Sequence, residues 1–165
     1  MYPIDMAAGG GSHLPVLIRV VSATVGPVLE LGTGYWSTGM LDILCQRTRR
    51  KVVSYENNPN WYEMTRTYQS DYHDVHLITD WTAVNLEAEN WAVALVDHLP
   101  NERRRFEAIR LAPNTTYVVI HDSQQRHWKL ERAYAHFAYR FEYTACFPWT
   151  VVLSNTVDPG WLSGP

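Results

Sequence analysis

The chain lacks three features that would assign it to a protein class directly: paired cysteines, a basic surplus and long apolar runs. Its two cysteines, Cys45 and Cys146, lie in apolar settings without metal-ligand spacing, so we expect buried free thiols in a reducing compartment. Lysine and arginine number 14 against 17 acidic residues, and the net charge of -3 lacks the surplus expected of a nucleic-acid binder.

No apolar run approaches the roughly 20 residues that a membrane span needs. The first residues, MYPIDMAAGGG, also lack the basic and apolar regions of a secretory leader. We therefore expect a cytoplasmic protein that contacts neither membrane nor nucleic acid.

The composition is that of a globular protein, since 46% of its 165 residues are hydrophobic. This length is enough for a single domain, 1–165, with a sizeable core. We expect residues 1–12 to form a flexible N-terminal loop, because glycines crowd positions 9–11, and residues 158–165, rich in glycine and proline, to form a loose tail.

Short apolar runs alternate with helical patterns along most of the chain. Strands are predicted at 28–31, 51–55, 76–79, 91–96 and 116–120, helices at 13–24, 37–48, 61–69, 100–111 and 123–137, and a terminal hairpin at 140–145 and 149–154. This alternation predicts an α/β fold, with a doubly wound, mostly parallel sheet of about seven strands, helices on both faces and a C-terminal antiparallel hairpin.

The stretch from Val28 to Thr38, VLELGTGYWST, has the pattern of a strand, a tight glycine turn and a helix N-terminus. Such a turn is where α/β proteins bind nucleotide-like ligands. Dinucleotide dehydrogenases share this pattern, but the third glycine of their turn would fall at Ser37, and Glu30 precedes the glycines here.

An acidic residue follows or ends each predicted parallel strand, at the sheet edge where open α/β sheets bind ligands. These residues are Glu30, Glu56, Asp80, Asp97 and Asp122. Each one alone could cap the next helix. Together they indicate a site.

On these ordered motifs, residues 13 to 155 resemble a class I S-adenosylmethionine-dependent methyltransferase with a Rossmann-like fold. The resemblance implies that Gly32 and Gly34 let the backbone approach the cofactor, that Glu56 accepts the ribose hydroxyls, and that Asp80 and Trp81 recognise the adenine. Trp81 could equally be a core residue. The implied cofactor residues are Glu30, Gly32, Thr33, Gly34, Ser37, Glu56, Asn57, Asp80, Trp81 and Asp97.

Residues 95–123 are similar to catechol-type metal-dependent O-methyltransferases, in which two acids and an asparagine hold a divalent ion. The resemblance implies Asp97 and Asp122 as ligands of Mg²⁺, although Ser123 replaces the asparagine and the usual lysine base is missing. The alternative is a metal-free site in which His98 or His121 acts as general base. The catalytic candidates are Asp97, His98, His121 and Asp122.

Two further expectations concern flanking segments. His13, after the glycine loop, is a candidate lid or substrate contact, and Ser12 a candidate helix cap. Arg103, Arg104 and Arg105 are expected to spread over a wet surface.

The function indicated is methyl transfer from S-adenosylmethionine to a small-molecule hydroxyl acceptor. Two alternatives stay open: a non-catalytic cofactor-binding module, or the same fold used for lyase or NAD-dependent redox chemistry. The aromatic residues of the terminal hairpin also leave a homo-oligomer open, with core packing as the alternative.

Overall fold

A computed structural model describes residues 10–164; the predicted flexibility of residues 1–9 lies outside the described residues. The strands are β1 (Val28–Leu31), β2 (Val52–Glu56), β3 (His73–Leu77), β4 (Trp91–Val96), β5 (Thr115–His121), β6 (Tyr139–Tyr143) and β7 (Thr150–Ser154). The α-helices are α1 (Leu14–Ser22), α2 (Ser37–Thr48), α3 (Pro59–Thr65), α4 (Arg104–Leu111) and α5 (Glu131–Tyr134).

The sheet has seven strands in the order β3-β2-β1-β4-β5-β7-β6. Strands β1 to β5 pair in parallel, and β7 pairs antiparallel with both β5 and β6. The predicted fold class is therefore confirmed. The strand order reverses between β1 and β4, and such a switch point opens a crevice at the carboxyl ends of the strands.

Strand β1 shows how the side chains divide between the two layers. Leu29 and Leu31 join the apolar cluster that contains α4 and α5, while Val28 joins the cluster formed by α1 and α2. Glu30 faces the same layer as Val28, because side chains alternate along a strand. A carboxyl group is thus built into the interior beneath the N-terminus of α2.

The predicted helix at 123–137 is wrong. The chain there forms a single 3₁₀ turn, Arg126–Trp128, followed by the short α5. Lys129 adopts a left-handed conformation with φ of 56°, which ends the turn, and the Trp128 side chain is buried with the Arg104 guanidinium 5.2 Å from its ring centre. Tertiary packing of Trp128 overrides the helical pattern.

Strand β3 begins three residues before its predicted start, at His73. The prediction missed this start because His73 and Asp74 are polar, whereas the strands were identified from apolar runs. The His73 ring is buried, and its nitrogens lie 2.8 Å from Ser54 Oγ and 3.1 Å from Asp42 Oδ1, so polar contacts replace apolar ones at this position.

The C-terminal tail is not loose over its described part. Residues Pro159–Ser163 form a 3₁₀ helix, with the side chain of Leu162 buried against the α1 layer. Arg19 of α1 donates to the carbonyl oxygen of Leu162 at 2.7 Å, and Trp161 Nε1 donates to the Tyr117 hydroxyl at 3.2 Å. The last turn therefore closes the core.

Within residues 10–164, no helix has the length and apolarity that would let it cross a membrane. Both cysteines are free; Cys45 is buried as predicted, whereas Cys146 is only partly buried.

Candidate active site

A cavity of about 260 Å³ opens at the switch point, where the loops after β1, β2 and β4 meet. Its walls combine two carboxylates with several aromatic rings. The lining residues are Gly10, Gly32, Thr33, Gly34, Tyr35, Trp36, Glu56, Trp61, Asp97, His98 and Leu99. The stretch from Val28 to Thr38 thus forms one side of the cavity.

The two glycines of this stretch do different work. Gly32 has a φ of 91°, and a Cβ there would lie 2.6 Å from the carbonyl oxygen of Asp97, so this glycine lets the end of β1 pass the end of β4. A Cβ on Gly34 would meet no atom of the described residues within 4 Å. The space next to Gly34 in the cavity is therefore not filled by any atom of the described residues.

Glu56 lies at the end of β2 and holds the loops around it together. One carboxylate oxygen accepts from the backbone N–H and the hydroxyl of Thr33, at 2.8 and 3.2 Å. The other accepts from the backbone N–H groups of Asn57 and Asn58, at 2.8 and 2.7 Å. A carboxylate offers about four acceptor positions. A ribose hydroxyl that donated to Glu56 would therefore have to share a carboxylate oxygen that already accepts hydrogen bonds from the protein.

Glu30 does not line the cavity but supports its floor. Its oxygens accept from Thr38 Oγ1 at 3.1 Å and Ser54 Oγ at 2.6 Å, and Ser37 also hydrogen-bonds to it. Burial raises the pKa of Glu30 to about 7, although these hydroxyls act in the opposite direction. Thr38 in turn accepts from the Gly34 N–H, which links Glu30 to the cavity loop.

The structure does not bring Asp80 and Trp81 to the cavity wall as predicted. Asp80 is exposed and caps the following turn through Thr82. Trp81 is buried in the core, with its ring stacked on His98 at 4.1 Å between centres and its Nε1 donating to the Leu99 carbonyl oxygen. The core alternative for Trp81 is the one observed, since its ring supports the loop from beneath.

The polar centre beside the cavity is organised by Arg104, contrary to the expectation that it lies on a wet surface. This side chain is buried, and its Nη2 lies 2.9 Å from Asp97 Oδ1 and its Nη1 3.1 Å from Asp122 Oδ2. It also donates to the carbonyl oxygens of His98 and His121, at 3.0 and 3.1 Å. One guanidinium therefore ties together the ends of β4 and β5.

The four catalytic candidates meet in one place but have unequal surroundings. Burial raises the pKa of Asp97, but the hydrogen bond from His121 and the charge of Arg104 outweigh it and hold the pKa below its usual range. Asp97 and His98 line the cavity. His121 and Asp122 lie behind Asp97 and contact it directly or through Arg104.

His98 is a packed residue rather than a free base. Its ring lies between Trp81 and the buried carboxylate of Glu107, whose Oε2 is 3.4 Å from His98 Nε2. Both side chains are fully buried. One face of the ring stacks on Trp81, Nδ1 lies 3.3 Å from the Leu99 carbonyl oxygen and Nε2 faces Glu107, so contacts within the protein hold the ring in place at the cavity wall.

The residues do not fit the Mg²⁺ site that the sequence resemblance implied. A divalent ion held by Asp97 and Asp122 would need the space between their carboxylates, and the Arg104 guanidinium bridges the two at 2.9 and 3.1 Å. Mg²⁺ requires near-octahedral oxygen coordination. A cationic side chain in that position excludes it.

Two residues of this centre were assigned other roles from the sequence. Ser12 is not a helix cap: its hydroxyl donates to the Pro148 carbonyl oxygen at 2.7 Å and lies 2.8 Å from His121 Nε2, so residues 10–12 form an ordered turn. Arg104 shares the buried face of α4 with Glu107, Ala108 and Leu111. That i, i+3, i+4, i+7 spacing is the signal that could have placed it inside.

No protein-family profile and no curated protein matches the sequence, but solved structures match the fold. The cofactor-bound protein Rv0187 from MTB superposes with a TM-score of 0.65 at 17% identity, over 94% of this chain and 84% of that one. A human methyltransferase 10 domain containing protein gives 0.60 at 12% identity, over 95% and 85%.

The N-terminal domain of human METTL16, solved with SAH, superposes with a TM-score of 0.59 at 11% identity, over 88% of this chain and 69% of that one. At such low sequence identity, the structural similarity is evidence for the fold alone. The protein has the Rossmann-like fold of class I S-adenosylmethionine-dependent methyltransferases.

Proposed function

We propose that the protein binds S-adenosylmethionine in the switch-point cavity and transfers its methyl group to the hydroxyl of a small molecule. The observation that carries this proposal is the cavity itself, formed by the glycine turn after β1, Glu56 after β2 and Asp97 after β4. Ligands of open α/β sheets bind at this edge. The fold shared with cofactor-bound methyltransferases supports the same assignment.

The cavity residues suit this cofactor. Gly34 leaves room for a ligand close to the backbone, and the rings of Tyr35, Trp36 and Trp61 supply faces that attract a cation. When bound, S-adenosylmethionine supplies an activated methyl group on a positively charged sulfur. Glu56 is the residue that would hold the ribose, sharing its oxygens with Thr33.

The role of Asp97 is to orient the acceptor. Its carboxylate lines the cavity, stays ionised because of His121 and Arg104, and can accept a hydrogen bond from an acceptor hydroxyl. A fixed orientation is most of what this transfer requires from the protein. His121, Arg104 and Asp122 act through Asp97 as positioning residues.

The test is transfer of a labelled methyl group from S-adenosylmethionine to a panel of small hydroxyl acceptors, with amines alongside. We expect the wild type to label a hydroxyl acceptor and Asp97→Asn to do so about 100-fold more slowly, because misplaced substrates lose about that factor. Asp71→Asn, on an exposed loop, is the control and should keep full activity.

Three results separate the alternatives. Labelling of amines alone would move the acceptor to nitrogen. Cofactor binding without turnover on any acceptor would favour a non-catalytic binding module. Full activity of Asp97→Asn would remove this carboxylate from the mechanism.

A further inference from the structure

Three potential metal ligands converge beside the cavity, from segments far apart in the chain. His13 precedes α1, Asp97 follows β4 and His121 ends β5. One donor atom from each lies within 4.8 Å of the other two. The cluster differs from the oxygen-only set of Asp97 and Asp122, because two of its three donors are imidazole nitrogens.

The hydrogen bonds of Ser12 fix the proton on one nitrogen of His121. The Ser12 hydroxyl has a single proton, which it donates to the Pro148 carbonyl oxygen at 2.7 Å. Its 2.8 Å contact with His121 Nε2 is then a hydrogen bond only if Nε2–H is the donor. In the neutral ring, Nδ1 therefore carries the lone pair.

That lone pair faces a carboxylate. His121 Nδ1 lies 3.2 Å from Asp97 Oδ2 and 3.9 Å from Asp122 Oδ2. Two acceptors so close require a positive species between them: either a second proton on Nδ1, which makes the hydrogen bond to Asp97 described above, or a metal ion in place of that proton. The 3.2 Å distance fits a hydrogen bond, and it is also close to the roughly 3.3–3.5 Å between ligand atoms of tetrahedral Zn²⁺ with bonds of about 2.0–2.2 Å, so His13 has to decide between them.

His13 separates these two possibilities. Its side chain is 1% exposed, and neither ring nitrogen has a hydrogen-bond partner among the described residues. A neutral imidazole has one N–H donor and one nitrogen with a lone pair, so the buried ring offers a ligand atom that no protein group uses. An unpaired buried polar group costs about 1–3 kcal/mol. A proton on His121 leaves both His13 nitrogens unpaired, whereas an ion shared by the two rings gives one of them a partner.

Charge and position also favour an ion here. The two carboxylates of Asp97 and Asp122 face a single guanidinium, Arg104, which engages Oδ1 of Asp97 and leaves Oδ2 turned toward His121. With neutral imidazoles, this arrangement keeps an excess negative charge. His13 and His121 stand with ring centres 4.6 Å apart, tilted by 59°.

We propose that His13, Asp97 Oδ2 and His121 Nδ1 bind a divalent transition-metal ion of the Zn²⁺ class. Two histidines and one carboxylate are a donor set that suits Zn²⁺, Co²⁺ or Fe²⁺ and is unsuited to Mg²⁺. Ser12 is the outer-shell partner that orients His121 through its second nitrogen. The site does not depend on the methyl-transfer proposal.

The test is calorimetric titration of the full chain, freed of metal with a chelator, with Zn²⁺, Co²⁺ and Mg²⁺ in turn. We expect one equivalent of Zn²⁺ or Co²⁺ to bind, and we expect Mg²⁺ not to compete with either ion for the site. The visible absorption spectrum of the Co²⁺-loaded protein should be that of a low-symmetry site. Metal should also raise the midpoint of thermal unfolding, because it binds the folded state.

Variants locate the site. His13→Ala and His13→Gln, the second keeping more of the side-chain volume, should each weaken Zn²⁺ binding by more than the roughly 10- to 100-fold expected for Ser12→Ala, an outer-shell change. His127→Ala removes an exposed histidine and is the matched control with unchanged affinity. Asp122→Asn should keep the ion, since Asp122 pairs with Arg104.

Several results would overturn the proposal. Absence of Zn²⁺ and Co²⁺ binding to the wild type would leave a proton between His121 and Asp97. Binding that survives in folded His13→Gln, or that is lost in His127→Ala, would place the ion elsewhere. If Zn²⁺ binding were lost in Asp122→Asn but retained in His13→Gln, the ligands would be the two carboxylates, Asp97 and Asp122.

Discussion

Glu30 shows how a single buried group makes stability depend on pH. Burial raises its pKa from 4.5 to about 7, so the folded protein holds a proton that the unfolded chain releases over that range. Stability then falls as pH rises from about 4.5 toward about 7, and the loss is complete above the folded pKa.

Glu30→Gln removes this titration while keeping a polar group beside Thr38 and Ser54. We expect the difference in free energy of unfolding, wild type minus variant, to decline with rising pH across that window and then level off. Denaturant unfolding at a series of pH values measures it. A difference that rises with pH, or stays flat, would contradict a raised pKa for Glu30.

The two glycines of the cavity loop give a matched pair of substitutions. Gly32→Ala places a Cβ 2.6 Å from a backbone oxygen and strains a left-handed backbone, at a cost of about 1–3 kcal/mol for overpacking and about 1–2 kcal/mol for the conformation. Gly34→Ala meets nothing within 4 Å and should change stability by less than about 0.5 kcal/mol.

Thermal and denaturant unfolding of the two variants measure this contrast. Equal stability of both would show that the ends of β1 and β4 do not approach each other as closely as the structure has them.

Helix α4 joins the ends of β4 and β5, a role that its highly charged sequence does not reveal. It presents one charged residue, Arg104, from its buried face to two carboxylates and two carbonyl oxygens at the ends of β4 and β5. The neighbouring Arg105 makes a peripheral contact, a hydrogen bond to the Trp128 carbonyl oxygen at 2.9 Å.

Arg104→Met should therefore lower the free energy of unfolding by about 3–5 kcal/mol, since it removes the cation that two partly buried carboxylates share. Arg105→Met, the control on the same helix, should cost less than about 1 kcal/mol. Urea unfolding compares them. A cost for Arg104→Met no larger than that of the control would mean that Asp97 and Asp122 do not need this guanidinium.

Sequence alone predicted the elements whose apolar pattern is set locally. The bounds of β1, β4 and α2 match the prediction, since buried parallel strands are short apolar runs and α2 follows a turn with clear glycines. The helix expected at 123–137 failed because Trp128 packs against Arg104 and Lys129 turns left-handed. No local pattern carries that information.

Across the whole molecule, parallel topology predicted that Glu56, Asp97 and Asp122 share one edge, because every parallel strand ends there. His13 was expected near this edge as a lid or substrate contact, but the sequence could not predict that its ring is buried beside Asp97 and His121 or that Ser12 bonds to His121, since both depend on how α1 packs against the sheet. Nor could it show that Glu56 bonds to its own loops or that Trp81 lies in the core. Those contacts arise from tertiary packing.

The most direct test of the central assignment is calorimetric titration of the protein with S-adenosylhomocysteine, with NAD as the comparison ligand. We expect the wild type to bind S-adenosylhomocysteine and not NAD, and Gly34→Ala, with unchanged stability, to bind S-adenosylhomocysteine at least about tenfold more weakly, a loss of about 1.4 kcal/mol. Tight binding of NAD with no response to S-adenosylhomocysteine would contradict this assignment.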